Sequence, residues 1–576
     1  MKKDIQKIIK KAILNLQKEG KFPDFKIPEI KIDYPGDKKF GDYSSNIAMI
    51  LASITKENPI KIAEEIAGLL NKYIREPSPL TSASPAGRPL PEGEGDEGGI
   101  KKIKVVKPGY INFYLSEKYL QDLVNVINKR GNKYGNNKTG ENKKVLIEFI
   151  SSNPTGPIHL GNGRGGPLGD TLANVLEKSG YQAKREFFVN DFGNQVEVLG
   201  SSVLKDKNAQ YKGEYIDKLG KKLKGAKNLK SKTDAKKVGA WAAGVILKEI
   251  IRPTCEKLGI KFDNWFSEKS LHKKGLVDEI IKLLEKKNLV YEKDGALWYK
   301  SVEFGDDKDR VLIRSSGDST YIAADFAYHK DKIARGFDKL INIQGADHHK
   351  EAEIVKNFVE KILNKKGGID YILSQFVRII KNGQEIKMSK RKGVYFAMDD
   401  LIKEAGTDAV RFIFLSYAPN THINFDINLA KERSEKNPVY YVQYACARIA
   451  SILHKTQSVK RGTQKNPPLT PPLEKGENNQ NSKLSLLIHK KELDLMRELN
   501  KFPELVEEIA RSYEAHKLPR YAIKLADKFH SFYAECRVID EDNLELSLAR
   551  QNLINAVRIV LAETLRLMGV SAPEKM

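Results

Sequence analysis

The chain has 576 residues, is 40% hydrophobic and carries a formal net charge of +24. That length suffices for two to four domains with real cores, and the charge points to a polyanionic partner, since basic surfaces attract phosphate backbones. Three scattered cysteines, Cys255, Cys446 and Cys536, with no CxxC pair, argue against a disulfide framework and a structural zinc site, and no apolar run reaches the ~18 residues a membrane span needs.

The first twenty residues, MKKDIQKIIKKAILNLQKEG, start with charge but lack the apolar stretch of a secretion signal. Ile5, Ile8, Ile9, Ala12, Ile13 and Leu16 instead follow helical spacing, and a soluble cytoplasmic protein is expected. Residues 77–99 (PSPLTSASPAGRPLPEGEGDEGG) and 466–482 (NPPLTPPLEKGENNQNS, with a lead-in from 462) are rich in Pro, Gly and polar residues. Neither can bury enough apolar surface to offset the entropy of ordering, so both are read as disordered insertions. After the first, VVKPGYINFYLS (105–116) reads as strand–turn–strand and closes an N-terminal module over 1–118.

VLIEFI (145–150) is a short apolar run bounded by polar residues, the pattern of a buried parallel strand. Strand and helix signals then alternate to about 430, with LINIQG (340–345) and FVRII (376–380) as further strands. An α/β catalytic domain with a parallel sheet is expected over 140–432. From 433 to 576 the chain reads as helices, LINAVRIVLAETLRLMG (553–569) among them, and a helical bundle is expected. Inside the α/β region, KLGKKLKGAKNLKSKTDAKK (218–237) is densely cationic, either a solvated excursion or an RNA-facing surface.

The chemistry concentrates at NPTGPIHLGNGRGG (153–166), which follows VLIEFI directly and feeds a helix that Gly180 stops. No Gly-Lys-Ser/Thr follows and the spaced dinucleotide fingerprint is missing, so neither a P-loop nor a dinucleotide fold is implied. A strand–glycine turn–helix unit places a ligand at the strand's carboxyl end, and helix N–H groups attract an anion there. His159 in that turn can donate to phosphate oxygens as charge develops. A second polar turn, KMSKRKG (387–393), brings Lys387 and Lys390, whose flexible ammonium groups can follow a phosphate chain.

This pair resembles the signature motifs of the class I aminoacyl-tRNA synthetases. HLGN at 159–162 looks like their HIGH motif with Asn162 in the last place, and KMSK at 387–390 matches their KMSKS motif with Arg391 replacing the serine. The resemblance sharpens to the arginyl-tRNA synthetases through GDYSSNIAM (41–49), KPGYINFYL (107–115), FDNWFSE (262–268), GADHH (345–349), NPVYYVQYACARI (437–449), FYAECRV (532–538) and GVSAPEKM (569–576).

What the resemblance implies is a Rossmann-type α/β catalytic domain, an N-terminal α+β tRNA-binding domain and a C-terminal all-α anticodon-binding domain. It implies an ATP-dependent ligase that makes arginyl-adenylate and passes the arginyl group to the 3'-terminal ribose of its tRNA. Mg2+ would accompany the ATP, with no structural metal, no membrane and a monomer as further expectations. His159, Asn162, Lys387 and Lys390 match the catalytic motif positions. Gly161, Gly345, Asp347, Met388 and Ser389 join them around ATP, while Glu148, Ser151, Asn153, Tyr321, Asp325 and His348 match positions that hold arginine. The residues agree with that assignment. A guanidinium is always charged and presents a planar fork of donors, so its site needs carboxylates and polar acceptors. Glu148 ends the strand before the first motif, and Tyr321 and Asp325 stand at i and i+4, on one face of a helix. Two alternatives remain: a smaller nucleotidyltransferase, which would not need a helical domain after the second motif, and a non-catalytic RNA-binding relative, which would lose the paired motifs.

Overall fold

The computed structural model describes residues 1–75, 99–226, 229, 231–386, 396–461 and 483–576. Both proposed insertions lie outside the described residues, apart from Gly99. The N-terminal helix Lys2–Lys18 buries the six apolar residues at its helical spacing. It packs with helices Ile47–Thr55 and Pro59–Arg75 on an antiparallel sheet of β1 (Tyr43–Ser45), β2 (Ile100–Val106) and β3 (Tyr110–Leu115), in the order β1-β3-β2. The strand–turn–strand expected over 105–116 is the β2–β3 hairpin, which turns at a cis Lys107–Pro108 bond. Helix Glu117–Arg130 straddles the end of this module and packs on the C-terminal helices, where Gln121 donates to the Leu487 carbonyl (3.2 Å) and Asn128 to that of Asn552 (3.0 Å).

The α/β region contributes β4 (Lys144–Glu148), β5 (Gln182–Val189), β6 (Asn264–Ser267), β7 (Val290–Lys293), β8 (Ala296–Tyr299), β9 (Arg310–Ile313), β10 (Lys339–Gly345), β11 (Ile369–Ser374), β12 (Val377–Lys381), β13 (Gln384–Glu385) and β14 (Ile423–Asp426). Five of them form one parallel sheet in the order β11-β10-β4-β5-β6. The chain runs outward from β4 in one direction, then restarts at β10 on its other side. The switch point between β4 and β10 is where an open parallel sheet of this kind binds ligands. Strand β4 has Val145, Leu146, Ile147 and Glu148 buried in succession, as expected of a strand covered on both faces.

FVRII forms the strand expected of it, β12, in a different sheet. β12 does not join the parallel sheet but pairs with β14 (parallel) and β13 (antiparallel) in a sheet of its own. A separate antiparallel sheet, β7-β8-β9, also goes unannounced in the sequence.

Between β5 and β6 the chain makes a helical excursion whose helices include Asn194–Leu204, Glu214–Gly225 and Ala235–Ile246, the last running on through a π-helical stretch into Arg252–Lys257. The first and third cross at Gly200 and Gly239, where a Cβ on either would stand 1.8 Å from a carbonyl oxygen of the other helix. Only glycine permits that approach. The C-terminal region is helical, with Pro438–Arg461, Lys490–Asn500, Phe502–Ser512, Lys517–Glu535 and Leu544–Leu567. Buried Arg411 binds it to the α/β region, reaching Asp170 and the carbonyls of Leu258 and Met568, each at 2.6 Å. All three cysteines are buried and unpaired, and burial raises each thiol pKa. No helix among the described residues is long and apolar enough to cross a membrane.

Candidate active site

At the end of β4 the backbone leaves the sheet through Ile150 (φ 68°) and Ser151 (φ 37°), both in the left-handed region. For a β-branched residue this conformation is costly and must be held by its surroundings. Asn162 does part of the holding, as its amide donates to the Ile150 carbonyl (3.0 Å). Ser151 does the rest, donating to Glu148 Oε1 (2.9 Å) and accepting from the Phe188 backbone N–H (3.1 Å). The asparagine that replaces the second histidine of the first motif therefore stabilises the turn from inside.

The glycines that follow have a packing purpose. A Cβ on Gly163 would meet Met398 Sδ at 2.6 Å, on Gly166 Ile260 Cδ1 at 2.9 Å, and on Gly169 the Phe149 ring at 2.3 Å. They let helix Gly165–Lys178 lie directly on the turn. Arg164 between them is almost fully buried and makes no ion pair among the described residues, donating instead to the carbonyls of Gln375 (2.6 Å), Thr421 (2.8 Å) and Ala418 (2.9 Å). Burial pulls its pKa down to about 10.

His159 starts the short helix Leu160–Gly163. It forms a β-bridge with Ala397, and the Met398 N–H donates to the Ile158 carbonyl (2.8 Å). The first motif is thus paired with the segment that follows the second. Lys387, Met388, Ser389 and Lys390 themselves lie outside the described residues.

The expected arginine ligands are distributed around the switch point. Glu148 is buried and already has a cation, since its Oε2 accepts from Lys332 Nζ at 2.5 Å. Lys332 also reaches Asn342 Oδ1 (3.2 Å) and lies over the Tyr328 ring. Asn153 donates to Gln195 Oε1 (2.5 Å). Tyr321 and Asp325 occupy the first two turns of helix Tyr321–Ala334, one turn apart as the spacing required. Tyr321 is exposed, and Asp325 is half-buried with no hydrogen bond to its carboxylate among the described residues. Burial, then the charge of Glu148, raises the Asp325 pKa to about 7, although Lys332 opposes the shift. Gly345 ends β10 beside β4, and Asp347 and the exposed His348 follow it.

The sequence reading missed four participants. Lys332 stands seven residues after Asp325, a helical period that could have placed it on the same face. Glu268, in a segment quoted only for its resemblance, is buried with one carboxylate oxygen unpartnered among the described residues. Burial, then the charges of Asp325 and Asp191, lifts its pKa to about 8. Gln195 and Arg164 carried no pattern that set them apart. Together, one neutralised carboxylate, two carboxyls held in protonatable form and an open tyrosine make a pocket suited to a cation.

The sheet order, the glycine turn at its switch point and this acidic pocket define a class I aminoacyl-tRNA synthetase catalytic domain, and the profile described as "tRNA synthetases class I (R), catalytic domain" matches residues 123–418. Profiles for the "Arginyl tRNA synthetase N terminal domain" and the "DALR anticodon binding domain" match residues 2–85 and 442–576. The chain belongs to the arginyl-tRNA synthetase family. It is 39% identical over 591 aligned residues to the arginine–tRNA ligase of Bacillus subtilis, covering 100% of this chain and 99% of that one. An arginine–tRNA ligase of Halalkalibacterium halodurans is 36% identical, with 99% of each chain covered. The Thermus thermophilus arginyl-tRNA synthetase structure has the same fold, with a TM-score of 0.72 at 21% identity and 100% of both chains covered.

Proposed function

We infer that this chain is an arginine–tRNA ligase whose site residues act as the switch-point geometry suggests, with ATP as its energy source. The observation that carries the reading is the Asp325 carboxylate, without a hydrogen-bond partner among the described residues, beside the Glu148–Lys332 pair, a site for one more cation. Arginine's guanidinium is that cation, held by Asp325 and the Tyr321 hydroxyl, with Glu148, Ser151, Asn153 and His348 lining the rest. An uncharged analogue would leave those acceptors unpaired and be rejected strongly.

In the first step an arginine carboxylate oxygen attacks the α-phosphorus of ATP. The new O–P bond forms as the α–β bridge breaks, and pyrophosphate leaves. Gly161, Gly345 and Asp347 border the nucleotide. His159 donates to the phosphate oxygens, and Lys387 and Lys390 are assigned the same task from their motif. Asn162 acts indirectly, by fixing the turn. Mg2+ arrives bound to the triphosphate, as part of the substrate. In the second step a hydroxyl of the tRNA's terminal ribose attacks the adenylate carbonyl and AMP leaves. No side-chain nucleophile is needed, so positioning and charge stabilisation supply the rate. In this reading residues 1–118 contact the tRNA, 140–432 perform the chemistry, and 433–576 read the anticodon, in a monomer working in the cytoplasm.

ATP–pyrophosphate exchange with each amino acid, with and without tRNA, tests this. Exchange with arginine alone is expected. Exchange with lysine or glutamine in its place would refute the specificity, and normal exchange by Lys390→Ala would refute that residue's role.

A further inference from the structure

The helix Glu214–Gly225 has two different faces. Ile216, Leu219 and Leu223 are buried, while Lys218, Lys221, Lys222 and Lys224 are exposed. Lys218 pairs with Glu214 (2.9 Å) and Lys222 with Glu249, both at the surface, where such pairs contribute little. Lys221 and Lys224, one turn apart on the outer face, make no salt bridge among the described residues. The family resemblance does not single out this stretch, and the chemistry of the active site does not use it.

The inner side of the same excursion touches the active-site turn at two points. Tyr215, in the first helical turn, donates its hydroxyl to the Thr155 carbonyl (3.0 Å), and a Cβ on Gly156 would stand 3.1 Å from that hydroxyl. Gln195, in the first turn of helix Asn194–Leu204, holds Asn153. The two attachments are themselves joined, because Ser202 Oγ accepts the N–H groups of Gln210 (3.1 Å) and Tyr211 (3.0 Å) and donates to the Val198 carbonyl (2.7 Å). The turn from Asn153 to Pro157, between the strained end of β4 and His159, is therefore gripped from outside by a helix with exposed lysines on its far face.

We propose that Lys221 and Lys224 form a phosphate-contacting surface for the tRNA, and that Tyr215 makes this helix a handle on the Asn153–Pro157 turn. The proposal rests on the ligase reading above and adds to it a contact surface within the catalytic domain and a positioning residue. Lysine ammonium groups act as point charges that suit backbone phosphates without reading sequence.

The test uses the full chain and an arginine-accepting tRNA. Two readouts are needed, tRNA affinity over a range of KCl concentrations and arginine-dependent ATP–pyrophosphate exchange at saturating tRNA. The double variant Lys221→Gln/Lys224→Gln is expected to bind tRNA about tenfold more weakly near 0.1 M salt and to lose about two units of salt slope, one per phosphate contact. Its exchange rate at saturating tRNA stays at the wild-type value. Tyr215→Phe keeps the ring and the fold, so tRNA affinity and melting temperature hold, but exchange at saturating tRNA falls about three- to tenfold in kcat, the scale of one hydrogen bond. Wild-type affinity and salt slope in the lysine variant would overturn the contact surface. A wild-type kcat in Tyr215→Phe would overturn the handle. Absence of arginine exchange in the wild-type protein would instead sink the ligase reading itself, so the two failures are distinguishable.

Discussion

Lys332 Nζ lies 2.5 Å from Glu148 Oε2 with both side chains buried, so the carboxylate that ends β4 meets its first cation within the protein. Removing one member of such a pair strands a buried charge, at a cost of about 3–5 kcal/mol. Lys332→Met should destabilise the protein by that order in urea denaturation. The double variant Glu148→Gln/Lys332→Met should recover much of the loss, since replacing both partners leaves no orphaned charge. If the single variant unfolds at the wild-type midpoint, Glu148 is not held by Lys332 and is available to substrate.

Because Glu148 is neutralised, the guanidinium's main counter-charge is Asp325. Its pKa, raised to about 7, leaves the carboxyl largely protonated at pH 6. Arginine stays cationic throughout, so it captures the ionised carboxylate and releases a proton on binding. Its affinity should strengthen as pH rises from 6, about tenfold per unit well below that pKa, and level off above it. Glu268, raised to about 8, extends the window upward. The effect on stability without arginine has the opposite sense. The unfolded chain ionises these groups near 4 while the folded chain holds them protonated, so stability falls as pH rises from about 4 through 7–8. Calorimetry at pH 6.5 in two buffers of different ionisation enthalpy reads the proton release directly. Asp325→Asn should abolish most of it and raise the arginine KM about 100-fold, in line with losing one partner of a buried charge pair.

The residues of this site differ in how far the sequence reveals them. Glu148 and the turn after it are legible because a strand buried on both faces has no alternation, and a glycine turn must follow at a ligand-binding strand end. Asp325 and Tyr321 are legible as a helical pair. Lys332 is not, because a lysine in DKIAR looks the same on a solvated helix and under a buried carboxylate. β12 looks like any strand, and its pairing with β14 rests on contacts more than forty residues away in sequence. Glu268 and Gln195 acquire meaning only when distant elements converge.

Arg164 offers a test of how the turn is anchored to the rest of the domain. Its guanidinium satisfies three carbonyls from the segments flanking β12 and β14. Arg164→Met removes all three donors, and each carbonyl left dry costs about 1–3 kcal/mol. Melting temperature and adenylate formation should both fall, although Arg164 is not assigned a substrate contact. Arg164→Lys keeps the charge but cannot span three acceptors, and should recover only part of either loss. Full recovery by lysine would mean that charge rather than the forked geometry holds the segment.

Two glycine substitutions in helices should have opposite effects. Gly68, within helix Pro59–Arg75, is exposed, and a Cβ there meets nothing within 4 Å. Gly68→Ala removes the entropic penalty of glycine in a helix and should stabilise the protein by about 0.5–1 kcal/mol without changing activity. Gly169 also lies in a helix, but its Cβ would stand 2.3 Å from Cγ of Phe149, the residue after Glu148. Gly169→Ala must push the helix or the ring aside, at a cost of about 1–3 kcal/mol. Because Phe149 lies between Glu148 and the strained Ile150, the displacement reaches the arginine pocket, and the arginine KM should rise. Thermal melts of the two variants, with their exchange kinetics, separate the general helix preference from the close packing of helix Gly165–Lys178. A Gly169→Ala protein as stable and active as Gly68→Ala would mean that the helix has room to move away from the sheet without disturbing the site.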